Sequence, residues 1–150
     1  YFHNFVTHLL EAAYQREVYN LIDAGKSFDA GKLSEIKRSV LERFWGDAVE
    51  INAGAELTWM RQIHYYMGLY SYTYSAGLTI ATQAFLRVKT EGEPAVGKWL
   101  EFLALGDQLE AAEAAALAGV DIKTDQALQD TIHYLDEAVD QIITLSKELA

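Results

Sequence analysis

The chain has 150 residues, about half of them hydrophobic, with one proline, no cysteine and a formal charge of −10 from 22 acidic and 12 basic side chains. That length and composition fit a single globular domain with its own core and exclude a disordered chain, a disulfide scaffold and a cysteine-based zinc site. The acidic excess weighs against nucleic acid or an anionic membrane surface as partner.

No run approaches the about 20 apolar residues of a membrane span. No basic-then-apolar leader is visible, and the lack of cysteine fits a cytoplasmic protein. Tyr1 lies directly inside an apolar pattern (Tyr1, Phe2, Phe5, Val6, Leu9, Leu10) instead of following a polar, loose start. This predicts that the sequence is a piece of a longer protein.

In chain order, apolar residues at helical spacing predict a first helix from Phe2 to Ala24, stopped at Gly25-Lys26. Ser27 to Gly31 reads as a loop. Leu33, Ile36, Val40, Leu41, Phe44 and Trp45 mark a second amphipathic helix ending at Gly46, and Asp47 to Gly54 reads as irregular. Glu56 to His64 restarts a helix through Leu57, Trp59, Met60 and Ile63.

The next stretch gives two signals. Tyr70, Tyr72 and Tyr74 alternate as in a strand, while Tyr66, Tyr70 and Tyr74 repeat every four residues and continue into Leu78, Ala81 and Phe85. No second strand is available for pairing, so the expectation is a helix over about Leu69 to Thr90 after a break near Tyr66 to Gly68. Gly92 closes it, and Glu93-Pro94 opens a helix that runs to Gly106. An Ala-rich helix over about Leu109 to Ala118 stops at Gly119. Thr124 or Asp125 caps a last helix through Leu149. The predicted architecture is one all-α domain over residues 1–150, with six or seven helices.

No His-Glu-x-x-His, phosphate loop or nucleophile elbow occurs in the sequence. His3 and His8 are five apart, which does not bring them to one α-helical face. His8 and Glu11 stand at i, i+3, a spacing found in di-metal bundles. Without matching carboxylates elsewhere, the pair reads as an ordinary helix-surface pair, so no metal ligand is assigned in this chain. His133 and the acidic residues Asp125, Asp130, Asp136, Glu137 and Asp140 read as the wet side of the last helix.

The stretch from Gln62 to Gly77 stands apart. It carries His64 and five tyrosines, Tyr65, Tyr66, Tyr70, Tyr72 and Tyr74. A buried phenol without a partner costs about 1–3 kcal/mol, so such a density suits the wall of a site better than plain core. Phenol and imidazole donors together suit stabilisation of a developing oxyanion on a peptide carbonyl, with aromatic faces binding side chains. The bland alternative is a satisfied core histidine among packing tyrosines with hydroxyls at the rim.

The run Trp59-Met60-Arg61-Gln62-Ile63-His64-Tyr65-Tyr66, continuing as Met67-Gly68-Leu69-Tyr70-Ser71-Tyr72-Thr73-Tyr74-Ser75-Ala76-Gly77-Leu78, resembles the C-terminal signature of the M3 family zinc metallopeptidases in the oligoendopeptidase F branch. Glu91 to Val96, Trp99 to Leu103 and Ala118-Gly119-Val120-Asp121 are similar to that branch as well. The resemblance implies that this chain is the C-terminal lobe of a larger helical fold whose two lobes enclose a channel. It implies cleavage of short peptides by a zinc-bound water with a glutamate as general base. The family's zinc ligands, a His-Glu-x-x-His pair and a later glutamate, lie upstream of this part.

By the same resemblance, His64 matches the family's C-terminal histidine and Tyr72 a tyrosine that contacts the scissile carbonyl. Tyr66, Tyr70 and Tyr74 match the neighbouring aromatic positions, and Tyr65, Tyr66, Tyr70 and Tyr74 are the expected substrate-binding residues. Ile63 stands where many relatives carry proline and Ser71 where some do, and the loss of both is expected to loosen the backbone around His64. The implied partners are an oligopeptide and the N-terminal part of the same protein. This chain alone is expected to be inactive. The alternative is a stand-alone helical binding module with an aromatic groove and no chemistry.

Overall fold

The computed structural model describes residues 1–149. Six α-helices account for most of it: α1 (His8–Asp23), α2 (Ala30–Trp45), α3 (Tyr72–Glu91), α4 (Glu93–Leu105), α5 (Ala111–Leu117) and α6 (Gln126–Glu148). A π-helical turn, Phe2–Thr7, precedes α1, and three 3-10 segments lie between α2 and α3. No strand occurs among the described residues, so the all-α expectation holds. The single domain expected over residues 1–150 groups into two compact units, Tyr1–Ala76 and Gly77–Ala150.

In the first unit, α1 ends as its glycine foretold. Gly25 takes a positive φ of 65°, and the amides of Gly25 and Lys26 reach back to the carbonyls of Ile22 and Leu21, both at 2.9 Å. That pair of bonds satisfies carbonyls a helix end would otherwise orphan. Helix α2 begins ahead of the expected position because Asp29 caps it. The Asp29 carboxylate accepts from the Lys32 amide at 2.8 Å, so Ala30 and Gly31 are helical instead of loop. Leu10, Tyr14 and Val40 form the buried core, packed by Val18, Ile36, Leu41, Trp45, Trp59 and Tyr65.

The segment from Glu56 to His64 is not one helix. It forms two 3-10 pieces, Ala55–Met60 and Ile63–Tyr66, broken at an extended Gln62. Two side chains hold this irregular path. Arg38 on α2 donates to the carbonyls of Ile51 and Asn52 at 3.2 and 3.4 Å and to the Glu56 carboxylate at 3.1 Å. Gln15 on α1 donates to the carbonyls of His64 and Gly68 at 3.3 and 2.7 Å. Carbonyls that a continuing helix would use internally are thus taken from outside. The following helix starts at Tyr72, after a turn in which the Thr73 amide and hydroxyl both reach the Tyr70 carbonyl, at 3.0 and 2.7 Å.

The second unit contains the rest of α3 with α4, α5 and α6. Its buried positions are mostly Ala and Thr, namely Thr79, Thr82, Ala84, Ala95, Ala115, Ala118, Ala127 and Thr131, with Val120 beside them. Gln83 on α3 donates to the Thr131 hydroxyl at 3.0 Å and the Ala127 carbonyl at 3.3 Å on α6. Asp125 occupies the N-cap of α6, as expected, but without a side-chain cap bond. The acidic residues of α6 are exposed, and so is His133. Apolar Val139, Ile142 and Leu145 on α6 are also more than half exposed.

Candidate functional site

The site lies in the first unit, where α1 faces the His64 segment and the opening of α3. Gln15 fixes the height of that segment through its two bonds to backbone carbonyls. The His64 ring is then held at both nitrogens. The Gln62 amide donates to Nδ1 at 2.9 Å. This leaves the ring proton on Nε2, which faces the Tyr74 hydroxyl at 3.3 Å. The rings of Tyr70 and Tyr74 lie 5.5 and 5.3 Å from that of His64, and 5.5 Å from each other at a near-perpendicular angle. A hydrogen bond with Tyr70 holds the Tyr74 phenol above its ordinary pKa, with desolvation and the charge of Glu11 acting the same way. Tyr74 therefore keeps its proton at neutral pH and remains a donor.

Two residues that spacing had placed on a helix surface complete this cluster. His8 and Glu11 are buried, at 1% and 7% exposure. The His8 Nδ1 lies 2.8 Å from the Glu11 carboxylate, whose same oxygen is 3.9 Å from Nδ1 of His64. The His8 ring stacks on Tyr74 at 4.2 Å and meets His64 edge-on at 5.3 Å. The periodic pattern missed this because the covering partner, the His64 segment, is more than fifty residues away. The signal available was the His-x-x-Glu spacing itself.

His3 also approaches His8, with ring centroids 5.0 Å apart. The expectation that five residues separate them onto different faces fails for a physical reason. The chain opens as a π-helix, in which the Val6 amide reaches the Tyr1 carbonyl. The i, i+5 repeat of a π-helix brings such positions together.

The remaining tyrosines take separate places. Tyr65 packs on the core, where its hydroxyl accepts from the buried Lys37 ammonium at 2.7 Å. That ammonium also lies over the rings of Tyr14 and Tyr65, at 5.3 and 5.2 Å. Burial lowers the Lys37 pKa to about 8, against an opposing pull from the Glu11 carboxylate. Burial pushes the Tyr14 phenol up to about 12 and raises that of Tyr65 as well. Tyr66 is exposed and lines an aromatic recess of about 200 Å³ with Tyr14, Tyr19, Phe28, Trp59 and Tyr65. Tyr72, half exposed, lines a second recess of about 300 Å³ with Leu9, Ala12, Ala13, Arg16 and Leu69. The structure thus joins His64 to Tyr70 and Tyr74, and sets Tyr72 on the rim of a neighbouring apolar hollow.

Metal-ligating groups converge at one point among the described residues. Ligand atoms of His8, Glu11 and His64 all lie within 4.8 Å of one another. Two imidazoles and a carboxylate are a donor set that suits zinc. Among the described residues, no helix is long and apolar enough to cross a membrane.

No family model matches the chain. Over 131 residues it is 23% identical to oligopeptidase PepF of Bacillus subtilis, an alignment covering 87% of this chain and 20% of that protein. The oligoendopeptidase F homolog of Borreliella burgdorferi is 21% identical over the same share of this chain and 22% of its own length. The crystal structure of oligoendopeptidase-F from Enterococcus faecium superposes with a TM-score of 0.88 at 20% identity, over 95% of this chain and 27% of that one. The chain spans about a fifth of the length of the curated relatives it matches. In sequence and in fold, over most of its own length, the chain is similar to part of oligoendopeptidase F.

Proposed function

We propose that this chain forms the substrate-binding wall of a zinc metallopeptidase that hydrolyses short peptides. The observation that carries this reading is the folding of one short stretch around His64. The His64 imidazole is oriented by Gln62 and Tyr74, while the Tyr72 phenol remains half exposed beside an apolar recess. Those are the requirements for an oriented donor set next to a pocket for a substrate side chain.

In this proposal the Tyr72 hydroxyl donates to the carbonyl oxygen of the scissile bond as it gains charge. His64, held with its proton on Nε2, donates to the Tyr74 hydroxyl oxygen and so orients that phenol on the same wall. Leu9, Ala12 and Leu69 offer an apolar seat for a peptide side chain, with Arg16 at its edge. Zinc in the parent protein would supply Lewis acidity toward the scissile carbonyl and would activate a water at neutral pH. In this reading its catalytic ligands belong to a His-Glu-x-x-His and a later glutamate outside this sequence. The rest of the parent protein is then the natural partner of the exposed apolar side chains of α6.

The aromatic recess of Tyr14, Tyr19, Phe28, Trp59, Tyr65 and Tyr66 supports a second reading, a non-catalytic binding module with an aromatic groove. The gene separates the two. An open frame upstream of Tyr1 that encodes His-Glu-x-x-His and a later glutamate, with peptide hydrolysis by the full product, supports the peptidase. A start codon at this point with no such frame supports the binding module.

A further inference from the structure

We propose that His8, Glu11 and His64 form a binding site for a divalent transition-metal ion of the zinc type, within this chain and without a His-Glu-x-x-His motif. The three side chains come from two distant segments, α1 and the 3-10 turn Ile63–Tyr66, and their ligand atoms fall within 4.8 Å of one another. Tetrahedral zinc with bonds of about 2.0–2.1 Å keeps its ligands about 3.3 Å apart, so small side-chain movements close the set. The closest pair is already at 2.8 Å and the next at 3.9 Å.

Three features favour an ion over a simple hydrogen-bonded cluster. First, the Glu11 carboxylate is buried, and a buried charge needs compensation. Second, His64 already holds the tautomer that ligation through Nδ1 requires, because its proton sits on Nε2 against Tyr74. Such outer contacts are what orient metal-bound imidazoles. Third, both rings are fixed by packing, His8 on Tyr74 and His64 between Tyr70 and Tyr74. A three-ligand set of two histidines and one glutamate leaves a fourth position for water. The His64 side chain is 19% exposed, which gives that position a path to solvent.

Entry of the ion has two local consequences. The Gln62 amide must leave the His64 Nδ1 that it now occupies at 2.9 Å. If His8 ligates through Nδ1, the proton it shares with Glu11 must move to Nε2. Zinc binding is therefore weaker in acid, where protons compete for the same nitrogens. Assignment of no metal ligand from the sequence is revised by this proposal, because the spacing of His8 and Glu11 gave no view of His64.

The site is tested on the whole 150-residue chain with no peptide present, so its failure leaves the peptidase reading untouched. Co²⁺ is titrated into the metal-free chain and followed by its visible absorption, then displaced with Zn²⁺. The expected result is saturation at one ion per chain with the intense band of a tetrahedral site. Glu11→Gln and His64→Gln should each weaken binding by about 10–100-fold or more, the scale seen when a metal's surroundings are altered. His133→Gln, on the exposed face of α6, should leave it unchanged. Circular dichroism confirms that each variant folds, and His64→Gln decides the matter if Glu11→Gln does not. Absence of saturable binding overturns the proposal. So does binding that is unaltered in a folded His64→Gln, or binding lost in His133→Gln.

Discussion

The side-chain amide of Gln15 donates to the carbonyl of Gly68 at 2.7 Å, across 53 positions of sequence. It also reaches the carbonyl of His64. One buried side chain on α1 therefore sets the position of the segment that carries the imidazole. Replacing Gln15 with Ala leaves those carbonyls without this donor and should cost about 1–3 kcal/mol. A thermal melt checks the stability. The His64 imidazole resonances should broaden or shift in the same variant, whereas a purely local packing loss would leave them in place.

Lys37 offers a pH test. Its folded pKa of about 8 lies below the ordinary 10.5, so the unfolded chain binds more protons between those values. Unfolding free energy contributed by this group therefore rises with pH from about 8 to 10.5. In Lys37→Met that contribution is absent. The stability difference between wild type and variant should shift toward wild type by about 3 kcal/mol across this window, from the standard conversion of a pKa shift. Tyr14 and Tyr65, which lose protons more readily when unfolded, contribute a trend of the opposite sign as pH rises toward 10. Denaturant titrations of both chains at pH 7 and pH 10 measure it. A constant difference would show that the Lys37 ammonium is not desolvated.

Gly119 is a sharper case in the second unit. It has a φ of +81°, and a Cβ there would fall 1.3 Å from the Arg87 guanidinium. Arg87 donates to the Gly119 carbonyl and forms a two-pronged pair with Glu91, at 2.8 and 3.0 Å. Gly119→Ala must bear the left-handed backbone and push Arg87 off its carbonyl. The backbone term alone costs about 1–2 kcal/mol, and calorimetry should show a lowered Tm.

The fold was legible where glycine and periodicity punctuate the chain. Gly25, Gly92, Gly106 and Gly119 close or open helices where expected, and all take positive φ. The pair of 3-10 segments around Gln62 was not legible, because side chains of Gln15 and Arg38 impose it from other helices. The contact of His3 with His8 escaped for a different reason, a π-helical turn that no α-helical spacing rule describes. For the site, the density of hydroxyls singled out the stretch that folds around His64. It gave no sign that Tyr74 and not Tyr72 would be bonded to His64, nor that Glu11 would be buried beside it.

The most direct measurement of the central claim is turnover of a short quenched peptide by the protein that the full open frame encodes. Tyr72→Phe removes one hydroxyl and leaves the ring on the rim of its recess. The account predicts a kcat lower by about 10²–10³, as for loss of one oxyanion donor, with KM little changed. Near-normal kcat in that variant would contradict it.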